Sequence, residues 1–489
     1  MQYSYLKSGT DVRGTASDLG GKQVELTDKA VYDITAAFAV WLTNKYNLNI
    51  EDTKIAVGHD SRITADRISA QVIAALTNAG IKVLDTGLSS TPAMFMTTVD
   101  LDTDAAVQIT ASHHPFDKNG LKFFTKEGGL SSGDIAEILK MAEDEFCVIS
   151  ETKGEVIKTD YMSQYAERLC NMIIKETGKG DKPLKNYKIV VDAGNGAGGF
   201  YAYNVLEKLG ADITGSRFLE PDGMFPNHIP NPENKEAMQS ICDAVKQSGA
   251  DLGLIFDTDV DRAGCVAANG EEINRNRLIA LASYIVLQEN KGGTIVTDSV
   301  TSDYLTEYIE ALGGKQCRYK RGYKNVIDKA VEFTNEGINA PLAIETSGHA
   351  ALKENYYLDD GAYLVTKIVI ELAKGTDISA VTETLKMPVE EGEYRFGIAA
   401  ENFREYGDSV LSALVQYIES IDGYSVVPNS FEGVRVTTPT GWFLLRLSVH
   451  DPIMPLNLES GEGGGIEKDK KILKPFFEKC EKLNIPEIF

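Results

Sequence analysis

The run KIAVGHDSR (Lys54 to Arg62) is apolar and β-branched at its start and polar at its end, which predicts a strand leading into a turn. RISAQVIAALTNAG then spaces its apolar residues as a helix does, and IKVLDTG returns to strand character. The pattern recurs as KIVVDAGNGAGG (Lys188 to Gly199), helix FYAYNVLEKLG and strand ADITGS. It recurs again as GTIVTDSVTS (Gly293 to Ser302), helix DYLTEYIEALG and strand GKQCRYK. Three copies predict three similar α/β domains. In each, a further apolar strand runs into a polar loop: AAVQITASHHP near Ser112, ADLGLIFDTDVDR near Asp257 and APLAIETSGHA near Glu345. Ligands of open α/β sheets gather at the carboxyl ends of the strands, so these loops are candidate site positions.

From about Met387 the pattern changes. A helical stretch (Glu401 to Ile421) precedes EGVRVTTPTGWFLLRLS, whose alternation predicts an antiparallel hairpin and a fourth, α+β domain. The expected domains are 1–150, 151–272, 273–386 and 387–489, in keeping with 489 residues. SGEGGG (Ser460 to Gly465) reads as a flexible loop before the last helix, since no strand leads into a GxxxxGK phosphate-binding pattern.

Composition, 43% hydrophobic and 25% charged, is that of a folded globular protein. With 49 Lys and Arg against 72 Asp and Glu, the net charge of −23 argues against nucleic acid or a membrane surface as partner. An anionic substrate needs a locally basic cleft. The six cysteines form no CxxC or CxH pattern, which argues against a zinc knuckle or redox motif and for buried thiols in a reducing compartment. The N-terminal MQYSYLKSGTDVRG has no signal-peptide pattern and no apolar run reaches about 18 residues, so a cytoplasmic location is expected.

Asp257, Asp259 and Asp261 alternate directly after LGLIF and repel one another unless a hard cation joins them; Mg²⁺, with a phosphate oxygen as an added ligand, suits such a set. A calcium-binding EF-hand fails on spacing, because Arg262 stands where its turn glycine belongs and Ala268 where its glutamate belongs. Ser112, with His113, His114 and Lys122 nearby, can serve as a nucleophile or phosphoryl carrier, although a loop Ser-His pair alone is usually just a turn. His349 and His450 also fall in the selected loops. Arg13, Lys122, Arg262, Lys320, Arg321 and Arg446 place cations in all four expected domains; each alone is a surface charge, and together they supply a basic cleft.

Taken with PDGMFPNHIPNPE (Pro221 to Glu233) and RLSVHDP (Arg446 to Pro452), the motifs TASHHP, DTDVDR and ETSGH resemble the α-D-phosphohexomutase superfamily, which includes phosphoglucomutase and phosphomannomutase. The resemblance spans nearly the whole chain. It implies a heart-shaped α/β architecture of four domains around a central cleft, three of them related and the C-terminal one smaller and α+β. Ser112 is then the phosphoserine, and Asp257, Asp259 and Asp261 hold Mg²⁺ together with one of its oxygens. Arg13, His113 and Lys122 match groups used for acid/base work, and Glu345, Ser347 and His349 match a loop that contacts sugar hydroxyls. Arg446 and Ser448 begin a phosphate-gripping loop, joined in substrate binding by Arg262, Lys320 and Arg321. That loop departs from the family at Val449, His450 and Asp451, and His450 is expected to replace a lost donor. His114 and Val300 are further departures, from an asparagine and from a lysine of some bifunctional members.

The implied reaction is a Mg²⁺-dependent interconversion of hexose 1-phosphate and 6-phosphate, glucose or mannose, through phosphoserine and a hexose 1,6-bisphosphate that also serves as activator. Small sugar phosphates are its partners, and no protein partner is implied. Phosphoglucosamine mutase is the alternative, although relatives of that kind usually carry Gln where Thr346 stands. Two other readings are a phosphatase using LIFDTDV as strand and aspartyl nucleophile, which lacks the accompanying motifs in its own family, and a silent sugar-phosphate sensor with an altered C-terminal loop.

Overall fold

The computed structural model describes residues 2–448, 451–487 and 489. The chain forms two compact units. The first takes the chain up to Asn274 together with Ser347–Ala351 and Leu358–Ser379, and the second takes Arg275–Thr346, Leu352–Tyr357 and Ala380–Phe489.

In the first unit one sheet runs in the order Asp11–Thr15, Lys118–Thr125, Ala105–Ile109, Lys54–His59, Lys82–Leu88 and Val156–Lys158. The last four strands are parallel and the first two antiparallel. Ala105–Ile109 is buried at every residue, as a central parallel strand covered on both faces must be. Helix Asp28–Tyr46 starts at Thr27, whose hydroxyl accepts from the Ala30 amide, and buries Val31, Ile34, Phe38, Trp41 and Leu42. Phe38 meets Phe123 of the sheet with ring centroids 4.4 Å apart. Each such side chain contributes roughly 1.5–3 kcal/mol by leaving water.

The second repeat departs from expectation. Ile189–Asp192 pairs in parallel with Leu252–Phe256, and Ala263–Ala267 returns antiparallel, but ADITGS forms no strand. Isolated bridges join Lys188 with Asp212 and Asp192 with Arg217, the residue after the segment, and no ladder forms between them because Gly215 at φ 108° breaks the pleat. The expected helix contracts to a wide π-helical segment, Tyr201–Glu207. Its approach is set by Gly199, where a Cβ would stand 2.1 Å from the Leu219 carbonyl oxygen.

In the second unit Thr294–Asp298 pairs in parallel with Lys315–Tyr319 and Leu342–Ile344, as the third repeat predicts. The C-terminal part is a six-stranded sheet built on the expected hairpin, Val434–Thr437 with Gly441–Leu445. Helices Phe403–Ile418 and Gly465–Phe477 fill its core with Val410, Leu414, Leu473 and Phe477. The glycine-rich loop ends as the N-terminus of the last helix, where Glu390 accepts from the amides of Gly464 (2.7 Å) and Ile466 (3.1 Å). The protein's own carboxylate thus takes the place an anion would use.

The cysteines are mixed. Cys170, Cys242 and Cys265 are buried, Cys317 and Cys480 partly so, and Cys147 is exposed, against the expectation of burial throughout. Among the described residues no helix is long and apolar enough to cross a membrane.

Candidate active site

Each repeat puts a fully buried aspartate at or just past the carboxyl end of its first strand: Asp60, Asp192 and Asp298. Their partners differ. Asp60 Oδ2 accepts from Thr110 Oγ1 (2.6 Å) in the Ser112 loop, and Asp298 Oδ2 accepts from Thr346 Oγ1 (2.6 Å) in the Glu345 loop. Asp192 instead meets His228 Nε2 (3.0 Å) and Ser240 Oγ (2.7 Å).

Ser112 is buried and held at φ 51°, in the left-handed region that costs an L residue energy. Its amide donates to Thr110 Oγ1 at 2.8 Å. Its Oγ lies 3.3 Å from each of Asp257 Oδ2, His113 Nδ1 and Arg262 Nη2. Asp257 follows a strand buried at all five residues, and the antiparallel return strand brings Arg262 back beside it. The tight turn between them sets Val260 at φ 67°, strained for a β-branched residue.

Asp257, Asp259 and Asp261 are buried, with one ligand atom from each within 4.8 Å of the others. Asp259 accepts from Thr91 Oγ1 and from Lys122 Nζ (3.0 Å), and Asp261 from Lys122 Nζ (2.6 Å). Oδ1 of Asp259 and Oδ1 of Asp261 have no hydrogen-bond partner. Burial and the charge of Asp261 push the Asp257 carboxyl well above the usual range. Burial acts the same way on Asp261, but Lys122, His349 and Arg262 outweigh it and hold that carboxyl well below. Buried carboxylates that repel one another and keep open oxygens suit a hard divalent cation with oxygen ligands, and Mg²⁺ fits that donor set.

Arg262 is almost wholly enclosed and serves the cluster. Its Nε donates to Asp257 Oδ2 (3.0 Å), Nη1 to Asn231 Oδ1 (3.3 Å), and Nη2 to Ser112 Oγ and His113 Nδ1. Burial and the nearby Arg262 hold His113 down to about 2, and burial with Arg13 holds His114 down to about 4. Both rings are therefore neutral at physiological pH. Burial also opposes charge on His349, yet Asp359 and Asp261 outweigh it and hold the ring up to about 9. Arg13 Nη2 donates to Asp11 Oδ2 at 2.6 Å.

The Glu345 loop divides between the units: Glu345 and Thr346 belong to the second, Ser347 and His349 to the first. In the second unit Glu345 Oε1 accepts from the Gly322 amide at 2.6 Å. Glu432 accepts from Ser299 Oγ and from the Arg321 amide (3.2 Å), and lies 3.8 Å from Arg446 Nη1. Ser448 Oγ accepts from the Asp451 amide at 3.3 Å, and Lys320 is exposed. His450 lies outside the described residues. The structure thus gathers Ser112, His113, Lys122, the three aspartates, Arg262 and His349 in one unit, and Glu345, Arg321 and Arg446 in the other.

Sequence reading missed Asp60, Arg62, Thr91, Asn231, Asp298, Asp359 and Glu432. For Asp60, Asp192 and Asp298 a signal existed, the same residue type recurring at the strand end of all three repeats. The others act through folds of the chain that no local pattern announces.

Residues 8–146, 160–270 and 274–387 match, in order, α/β/α domains I, II and III of phosphoglucomutase/phosphomannomutase. A phosphoglucomutase of Neisseria gonorrhoeae is 30% identical over 469 residues, 96% of this chain and 95% of the relative. The chain belongs to the phosphoglucomutase/phosphomannomutase family. As a phosphohexomutase it is an isomerase of hexose phosphates. A phosphomannomutase/phosphoglucomutase of Pseudomonas putida is likewise 30% identical over 437 residues, covering 89% of this chain and 90% of the relative. A family protein of known structure from Burkholderia thailandensis superposes with a TM-score of 0.83 at 26% identity, covering 99% of this chain and all of the other.

Proposed function

We propose that this phosphohexomutase interconverts the 1- and 6-phosphates of glucose, mannose or both, with Ser112 as the phosphoryl carrier. The observation that carries this reading is Ser112 Oγ standing 3.3 Å from both Asp257 and Arg262, at the edge of three buried carboxylates. A phosphoryl group on Ser112 faces a sugar hydroxyl; the hydroxyl oxygen bonds to phosphorus as the bond to Ser112 Oγ breaks, and the hydroxyl proton ends on Oγ, giving a hexose 1,6-bisphosphate and free Ser112. The reverse transfer from the other phosphate restores phosphoserine and releases the isomer.

Asp257, Asp259 and Asp261 would hold Mg²⁺ with a phosphoserine oxygen, and the ion would supply positive charge to the transferring phosphoryl group. The chain's own residues do the rest. Arg262 donates to Ser112 Oγ and stabilises the negative charge that grows there as it leaves. When Ser112 takes a phosphoryl group back, the hydroxyl proton it loses ends on the departing sugar oxygen, with the neutral His113 ring beside Oγ at 3.3 Å. His349, protonated, donates to substrate oxygen, while Glu345 serves sugar hydroxyls and Arg446, Arg321 and Ser448 a substrate phosphate. The Thr346 hydroxyl is engaged by Asp298, which argues against its reading the group at C2 of the sugar.

The test is initial-rate turnover of glucose, mannose and glucosamine 1-phosphates with Mg²⁺ and the matching bisphosphate, each 6-phosphate product being measured. Activity on glucose or mannose that disappears in Ser112→Ala supports the proposal. Undiminished turnover in that variant, or phosphate release without isomerisation, refutes it.

A further inference from the structure

We propose that Arg62, paired with Asp60, is the positioning residue that fixes the phosphoryl-carrying loop, an inference that rests on Ser112 being the carrier. The Arg62 side chain is wholly buried. Nη1 donates to the carbonyls of Pro115 (2.7 Å) and Lys118 (2.8 Å), and Nη2 to those of His114 (2.7 Å) and Ser112. One guanidinium therefore gathers four carbonyl oxygens of the segment joining the strands Ala105–Ile109 and Lys118–Thr125. Asp60 completes the arrangement: its Oδ2 lies 3.3 Å from Arg62 Nε, and its Oδ1 accepts from the Arg62 amide at 2.9 Å.

The second repeat closes the site from outside. Gly223, in the PDGMF motif, fits against the turn so tightly that a Cβ there would lie 2.3 Å from the Ile63 nitrogen and 2.4 Å from the Ser61 carbonyl oxygen. The Phe225 ring stands 5.3 Å from the guanidinium carbon. This gives part of that long motif, to which the proposed reaction assigns no step, a role in enclosing Arg62.

Burying a guanidinium is costly, and apolar packing holds most loops at less expense. The repeats show what the extra group adds. Thr346 to Asp298 and Thr110 to Asp60 are equivalent links, each tying a functional loop to the neighbouring strand end. To that link the first repeat adds the arginine, and the first repeat holds the serine that must be placed in line with a phosphoryl acceptor. Ser112, strained at φ 51°, has its own carbonyl among the four that Arg62 grips. A lysine offers a point charge in place of a planar fork of five N–H donors and cannot reproduce that span.

Full-length Arg62→Lys and Asp60→Asn are compared with wild type in Mg²⁺ with glucose 1-phosphate and glucose 1,6-bisphosphate. Melting temperature, kcat, KM, the rate at which Ser112 gains a phosphoryl group (by intact mass) and amide exchange over residues 111–118 are recorded. The expected result for Arg62→Lys is a cooperative fold, kcat and the phosphorylation rate both lower by about 100-fold, as a displacement of about 1 Å produces, and KM within about threefold of wild type. Asp60→Asn shifts the same quantities in the same direction by less. Wild-type kcat in Arg62→Lys overturns the proposal, as does a loss that merely tracks the unfolded fraction, or failure of both variants to fold. If wild type itself turns over no sugar phosphate, the carrier reading fails first. Exchange over 111–118 then decides the clamp alone: faster in Arg62→Lys sustains it, unchanged removes it.

Discussion

Single side chains in this protein are set by what encloses them. His228 is buried between Asp192 and the Phe218 ring, 5.3 Å away, with Nδ1 toward the Ile229 carbonyl. Burial opposes its charge, but Asp192 outweighs burial and raises the ring above its usual value. The stabilisation is therefore complete below about pH 6.5, the free imidazole value, and is lost as pH rises through the higher folded value. Melting temperatures measured from pH 6 to 9 should fall in wild type over that interval, and His228→Gln should flatten the slope. The aspartate cluster gives a second expectation. Mg²⁺ at 100 times its dissociation constant should stabilise the fold by about 2.7 kcal/mol, seen as a higher melting temperature that a chelator reverses. Asp259→Asn should abolish the increment, whereas an equal increment in that variant would place the ion elsewhere.

At the scale of elements, repeats were legible because period-two apolar runs and helical spacing alternate three times, as at KIAVGHDSR and GTIVTDSVTS. ADITGS failed because a glycine conformation, which composition does not reveal, outweighed strand propensity. Ser112 and the three aspartates were legible because they sit at strand ends. The Lys122 contacts with Asp259 and Asp261 were not, since they join residues more than 130 positions apart. Close packing between elements yields its own test. Gly223→Ala must push the turn at Ser61–Ile63 away, at a cost of about 1–3 kcal/mol. A chemical denaturation midpoint should report that loss, and kcat should drop with it because the displaced turn carries Arg62. An Ala variant as stable and active as wild type would contradict the packing.

Across the whole molecule, charge and chain path matter most. A net charge of −23 leaves little attraction for anions except where arginines and lysines are concentrated, as at Arg262 with Lys122 and at Arg321 with Arg446. Two compact units of unequal size are expected to unfold in more than one step, so calorimetry should show an excess heat curve that a single two-state transition cannot fit. A single sharp transition would mean that the units melt together.

The first unit is also not one continuous stretch of chain, and this has a consequence for a polypeptide made from its N-terminus. When the ribosome has completed Asn274, Ser112, the three aspartates and Arg262 have all been synthesised, but His349 and its partner Asp359 have not. The protonated imidazole that offsets Asp261 arrives only after most of the third repeat has been translated. A nascent chain therefore carries Ser112 and the three aspartates well before it carries the complete set of charges around them.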